Sequence, residues 1–224
     1  MIDIRENIIL FARETFFSNG FHKVSMESIS SGLQISKKTL YKHFPSKESL
    51  LEEIINRELN NAANALNNII NSDKNVVEKI IGIYEYYMNA VSKYSNLWFK
   101  DLRVHAPKLW EKIHSFEVCN IYSRLRDLIE EGKKENLINR ELPSELIIHA
   151  SNAITHSLLV PSIIVPQEYS IKDLIKFIFN FQLNAILNDK GRKVYNRIAK
   201  SHLQKDVRKK SKNIKKRKKY SKNV

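Results

Sequence analysis

Three serines, Ser25, Ser36 and Ser46, stand at nearly even spacing near the start of the chain, each just ahead of a stretch able to be helical. A serine there offers its side-chain oxygen to a free N–H of the following turn and so fixes where a helix begins. Val24 and Ile29 flank the first cap and Ile35 and Leu40 the second, as apolar pairs that pack across a helix start. Ahead of them Ile9, Ala12 and Phe16 recur at helical spacing from about residue 3 to Ser18, and Asn19-Gly20 can adopt the left-handed stop conformation. Gly32 falls where the chain is expected to turn sharply between two short helices crossing steeply. The local pattern is helix-turn-helix.

From Ser46 onward Leu50, Leu51, Ile54, Ile55 and Leu59 line one side of a connecting helix that runs to roughly Ile70. Further helices are expected near 75–93, 96–104, 108–134, 143–160 and 170–189, separated by polar and proline-bearing stretches, the last of them Pro161 to Ser170. Five glycines and five prolines leave little material for the turns of a β-sandwich or for glycine-rich phosphate loops. The single cysteine, Cys119, cannot form an internal disulfide; it reads as a small buried apolar residue in a reducing compartment. Charged Asp3, Arg5, Glu6 and Arg13 near the start, and the lack of any apolar run of about eighteen residues, speak against an export signal or a membrane span. A cytoplasmic, all-α protein is the expectation.

If residues 36–44 are helical, Leu40 and Phe44 lie one turn apart and pack inward with Ile35. That fixes the outward stripes: Lys38 with Lys42, Thr39 with His43, and Lys37 with Tyr41. All six can donate hydrogen bonds. A helix of this width fits the DNA major groove, where Lys38 and Lys42 would reach guanine acceptors and Thr39 a base edge or a thymine methyl. Tyr41, His43 and Lys47 are better placed for phosphates, Lys47 also standing at the start of the next helix, whose free N–H groups favour an anion. A lone Lys37-Lys38 pair is common on solvated surfaces; the three caps around it set this one apart.

The run from Gly20 to Leu51, with S-K-K-T-L-Y-K-H-F-P-S-K-E at its centre, resembles the DNA-binding domain of the tetracycline-repressor (TetR) family of bacterial transcriptional regulators over residues 5–55. The resemblance implies an all-α homodimer of about nine helices, with a small N-terminal DNA-binding domain and a larger C-terminal one for ligand binding and dimerisation. It also implies that Ser25, Ser36, Thr39, Tyr41, His43 and Lys47 occupy DNA-contacting positions. On this basis the expected divisions are residues 1–46 for DNA binding, 47–203 for ligand binding and dimerisation, and 204–224 as a basic, disordered tail. Ser30-Ser31 replaces the alanine pair often seen in the second helix, so two hydroxyls must find partners. Asn136 stands at a turn often held by glycine, whose backbone conformation asparagine tolerates.

Tyr84, Tyr87, Met88, Trp98, Phe99, His105, Trp110, His114 and Phe116 combine apolar bulk with polar tips suited to a small-molecule pocket, although any one of them taken singly reads more simply as core. The resemblance implies an effector without naming it, and no cofactor is expected. Glu111 and His114 have the Glu-x-x-His spacing of di-iron bundles, but the second such motif is missing, since Glu145 and His149 have the wrong interval. Neither metal nor catalysis is expected. The helices near 143–160 and 170–189 carry apolar residues on more than one face, as a symmetric homodimer interface requires. Residues 190–224 hold sixteen Lys or Arg and one acid, a charge of +15, whereas residues 1–189 sum to −1. The reading is a ligand-responsive regulator, in expectation a repressor, that binds a pseudo-palindromic operator as a dimer and is released by its effector. Its rival is a nucleic-acid-coating protein that binds any sequence through the basic tail.

Overall fold

A computed structural model describes residues 3–117, 120, 123–158 and 171–199. The expectations on Cys119, on the Pro161 to Ser170 connection and on the 204–224 tail lie outside the described residues. The fold is all-α, with α1 (Ile4–Asn19), α2 (Met26–Gly32), α3 (Lys37–His43), α4 (Lys47–Ile70), α5 (Val76–Val91), α6 (Asn96–His105), α7 (Pro107–Glu117), α8 (Ser123–Lys134), α9 (Ser144–Leu158), α10 (Ile171–Ile186) and α11 (189–199). Eleven helices are present among the described residues, against about nine expected. Within 108–134, expected as one helix, the described residues form α7 and α8, and residues 118, 119, 121 and 122 are not among them; α11 has no counterpart among the expected helices. Lys190, Arg192, Lys193 and Arg197 interrupt its sequence and obscure an inward face of Gly191, Val194, Tyr195 and Ile198.

By packing, the chain forms two compact units. The first spans Met1–Ser72, Gly82–Leu125 and Ile164–Ile175, so it contains the helix-turn-helix together with α4, α6 and α7. Its core is built from Ile8, Phe16, Ile29, Leu40, Leu50, Ile54 and Leu102, all fully enclosed. Aromatic rings join α6 to α1 and the turn after it: Trp98 meets Phe17 edge-on at 4.7 Å between centroids and Phe21 at 5.9 Å. Tyr94 meets Phe17 at 4.6 Å, and burial pushes its phenol well above the usual tyrosine range. Ion pairs clamp α1 to α4, with Arg13 on Glu58 at 2.7 Å, Arg57 on Glu6 at 2.5 Å and Arg5 on Glu53 at 3.2 Å.

The second unit spans Asp73–Ile81, Arg126–Ile163 and Lys176–Val224. Val76, Val77, Leu128, Ile129, Ile138, Leu183 and Leu187 form its core. Leu137 O accepts from Asn188 N at 3.2 Å and Ile186 O from Asn139 N at 2.9 Å, around an antiparallel bridge between Ile138 and Leu187. Asn136 takes a φ of +56°, the left-handed conformation expected of it. Lys79 is buried, and its ammonium is answered by Glu131 at 2.6 Å.

Candidate nucleic-acid interface

All three serine caps form. Ser25 Oγ accepts from Ser28 N at 3.0 Å, Ser36 Oγ from Thr39 N at 3.0 Å and Ser46 Oγ from Ser49 N at 3.1 Å. Ser28 and Ser49 hydroxyls accept from the Ser25 and Ser46 amides in return, closing capping boxes that were not evident from Ser25 and Ser46 alone. With its start fixed, α3 buries Leu40 completely, and Phe44 just beyond it stays 3% exposed. The opposite side is open: Lys37, Lys38 and Lys42 are exposed, Tyr41 is 47% exposed, and Thr39 and His43 are half-buried. Thr39 Oγ1 lies 2.8 Å from Ser36 Oγ, which holds its methyl and hydroxyl in one rotamer. Lys37 forms an ion pair with Glu27 of α2, and that hydrogen bond holds the Glu27 carboxyl below its usual range.

The turn between α2 and α3 departs from expectation. Gln34, not Gly32, takes the positive φ, at +55°. Gln34 N donates to Ser31 O at 3.1 Å and Ile35 N to Ser30 O at 3.0 Å, so the reversal closes two residues after the glycine. Gly32 serves packing instead, because a β-carbon there would stand 2.3 Å from the ring edge of Phe11. Of the two substituted hydroxyls, Ser30 is buried and donates to Glu27 O at 3.0 Å, while Ser31 is exposed to water.

Lys47 is occupied. Its Nζ donates to the carbonyls of Phe21, His22 and Val24 at 3.1, 3.0 and 3.1 Å, so the ammonium expected at a phosphate ties α4 to the α1–α2 turn. A second tie comes from α6: buried Asp101 accepts from His22 N at 2.7 Å, and the His22 ring stacks on His105 at 3.5 Å with planes 9° apart. Gly20, φ +74°, leaves room for this carboxylate, since a β-carbon would stand 2.6 Å from Asp101 Oδ2. Nothing local in the sequence announces either tie.

The nine middle residues are divided among different tasks. Trp98 is 4% exposed within the first unit's core, and Phe99 and Trp110 pack against that core, with the Arg103 guanidinium over the Trp110 ring at 6.0 Å. His105 is exposed on its stack with His22, while Tyr84, Tyr87, Met88, His114 and Phe116 are half-buried. One groove runs along Ile4, Asn7, Ile8, Leu33 and Ile35, and another along Phe177, Asn180, Phe181, Asn184 and Ala185; neither includes any of the nine. On α9 and α10, Ile147 and Leu183 turn inward while Leu146, Phe177 and Phe181 are each at least 60% exposed. The two phenyl rings lie nearly parallel, 6.4 Å apart.

Residues 8–54 match the family model described as bacterial regulatory proteins, tetR family. The chain is 51% identical over 51 residues to the HTH-type transcriptional regulator UidR of Escherichia coli K12, a match covering 23% of this chain and 26% of that protein. It therefore spans about a quarter of the length of the curated relatives it matches. A TetR-family transcriptional regulator from Marinobacter aquaeolei VT8 shares the fold with a TM-score of 0.69 at 15% identity, over 89% of this chain and 98% of that one. A putative transcriptional regulator from Saccharomonospora viridis, solved in complex with choline, scores 0.67 at 18% identity over 82% and 97%. Residues 8–54 of the chain thus match the tetR family of bacterial regulatory proteins in sequence, and the helical chain as a whole shares its fold with solved regulators.

Proposed function

We propose that the chain is a transcriptional regulator that binds a pseudo-palindromic DNA operator as a homodimer and releases it when a small molecule binds the helical remainder. One observation carries the DNA-binding part: α3 hides Leu40 and Phe44 and turns Lys38, Tyr41 and Lys42 to solvent, with Thr39 oriented by its own cap. On this reading Lys38, Thr39 and Lys42 meet base edges in the major groove. Ser25, Ser36, Lys37, Tyr41 and His43 meet phosphates, and Lys47 holds the module in shape.

The exposed stack of Phe177 and Phe181 on α10, with Leu146 likewise exposed on α9, supports dimerisation through these helices, because apolar area of this kind is costly to leave in water. A dimer would set two copies of α3 against successive major grooves, about one helical turn apart. The effector-responsive part draws support from the choline-bound neighbour and from the grip of α6 on the His22 turn, which gives a shift of α6 a route to the reading helix.

Selection of bound fragments from a genomic DNA pool tests the reading. The expected result is enrichment of a two-fold symmetric motif whose preference at one base position relaxes in Thr39→Ala. Recovery of fragments without a shared motif overturns it.

A further inference from the structure

The positive charge of the chain is confined to its end, +15 over residues 190–224 against −1 over the rest. We propose that this segment is a second DNA contact, which binds duplex phosphates irrespective of sequence and adds to the grip of α3. The proposal rests on reading α3 as the duplex-facing helix, and its test separates the two.

The segment begins on folded structure. Along α11, Lys190, Lys193 and Arg197 recur at spacings of three and four residues and are exposed, while Gly191, Val194, Tyr195 and Ile198 lie on the covered side. The Tyr195 hydroxyl is anchored on Asn180 of α10, and Gly191 N donates to Asn188 Oδ1 at 2.9 Å. Lys200 continues the cationic spacing in sequence, and nine further Lys or Arg fall between Arg208 and Lys219. The basic run thus starts as a stripe fixed to the second unit.

Composition narrows the partner. Single-stranded nucleic acid is held largely by stacking bases on aromatic rings, and after Tyr195 the segment offers only the Tyr220 ring and the His202 imidazole. A polybasic segment holds a membrane surface well only beside a second, apolar anchor. Here Leu203, Val207 and Ile214 stand singly among polar residues. Duplex DNA needs neither. Its phosphates carry about one charge per 1.7 Å of axis, and cations that displace its counterions gain affinity without reading bases. Once α3 is seated, the tethered cations meet phosphate at a high effective concentration.

The test uses the full chain, a variant with the nine Lys and Arg from Arg208 to Lys219 replaced by glutamine, and a Tyr41→Ala/Lys42→Ala variant of α3. Binding to a random-sequence DNA duplex is followed by fluorescence anisotropy over a salt series, beside an RNA duplex of the same sequence and vesicles of phosphatidylcholine with phosphatidylserine. If half of the nine cations touch phosphates at a time, glutamine replacement lowers the slope of log K against log salt by about 4. Each doubling of salt then costs the native chain about 16-fold more affinity than the variant. An unchanged slope overturns the proposal, as does a glutamine effect that is equal or larger on RNA or vesicles than on the DNA duplex. Motif enrichment that survives the α3 substitutions defeats the reading of α3 alone, because the glutamine effect on random duplex is measured apart from it.

Discussion

Replacing Lys47 by methionine keeps the aliphatic stem and removes the ammonium, which now bonds three carbonyls 3.0–3.1 Å away at Phe21, His22 and Val24. A hydrogen bond to a charged group contributes about 1.5–3 kcal/mol. Three that share one half-buried ammonium contribute far less than their sum, since the freed carbonyls of this turn regain water. A loss of about 2 kcal/mol is the expectation. For a chain of this size that lowers the melting temperature by roughly 4–8 °C, read by circular dichroism at 222 nm, near the usual helical minimum. The DNA readout moves differently. A lysine on phosphate contributes about 0.9 to the salt slope per chain. Lys47→Met should therefore weaken binding at temperatures where the module loosens, yet leave the slope on random duplex unchanged below the transition. An unaltered melting temperature together with a slope shallower by about 0.9 per chain would refute the tie and return Lys47 to the phosphate backbone.

Gly20→Ala should cost about 2 kcal/mol or more, because φ of +74° strains any residue with a β-carbon and that carbon would crowd Asp101 Oδ2 at 2.6 Å; urea unfolding measures it, and a gain in stability counts against the geometry. The hydrogen bond from Arg57, followed by that from Arg5, holds the Glu53 carboxyl below its usual 4.5. A depressed carboxyl stabilises fully above its unfolded value and loses that contribution as pH falls through the folded one. The stability gap between the native chain and Glu53→Gln should accordingly close below about pH 4.5, and a gap that widens in acid speaks against the α1–α4 clamp. Phe177→Glu with Phe181→Glu should turn a dimeric mass into a monomeric one in light scattering while helix content stays; an unchanged mass removes α10 from the interface.

What the sequence made legible was whatever a helix decides for itself. A cap depends on the residue and the next three, so Ser25, Ser36 and Ser46 can be located from sequence alone, and each accepts a bond from the turn it precedes. The division of α3 into a hidden Leu40 and an open Lys38–Lys42 stripe follows from the same short-range periodicity. The turn was harder. A glycine nearby drew the reversal to residue 32, whereas the chain reverses at Gln34 and keeps the glycine to admit Phe11, a neighbour from another helix. Trp98 is a related case: at helical spacing a ring bound for a pocket and a ring bound for the core look alike, and only the approach of Phe17 from α1 and of Phe21 just beyond it shows that Trp98 packs into the core.

The residues that steady the reading helix are therefore the ones local reasoning misses. Lys47 meets its carbonyls across 23–26 residues and Asp101 meets His22 across 79. Their identities are compatible with a solvated surface until tertiary structure supplies the acceptor or donor. The two ties converge on one turn, residues 20–24, from α4 and from α6. A displacement of α6 would thus act first on the position of α2 against α1, before reaching the exposed cations of α3. That order has a consequence. Asp101→Asn keeps an oxygen for His22 N but removes its charge, so it should leave motif preference intact while weakening any coupling between an effector and operator release. Thr39→Ala should do the reverse.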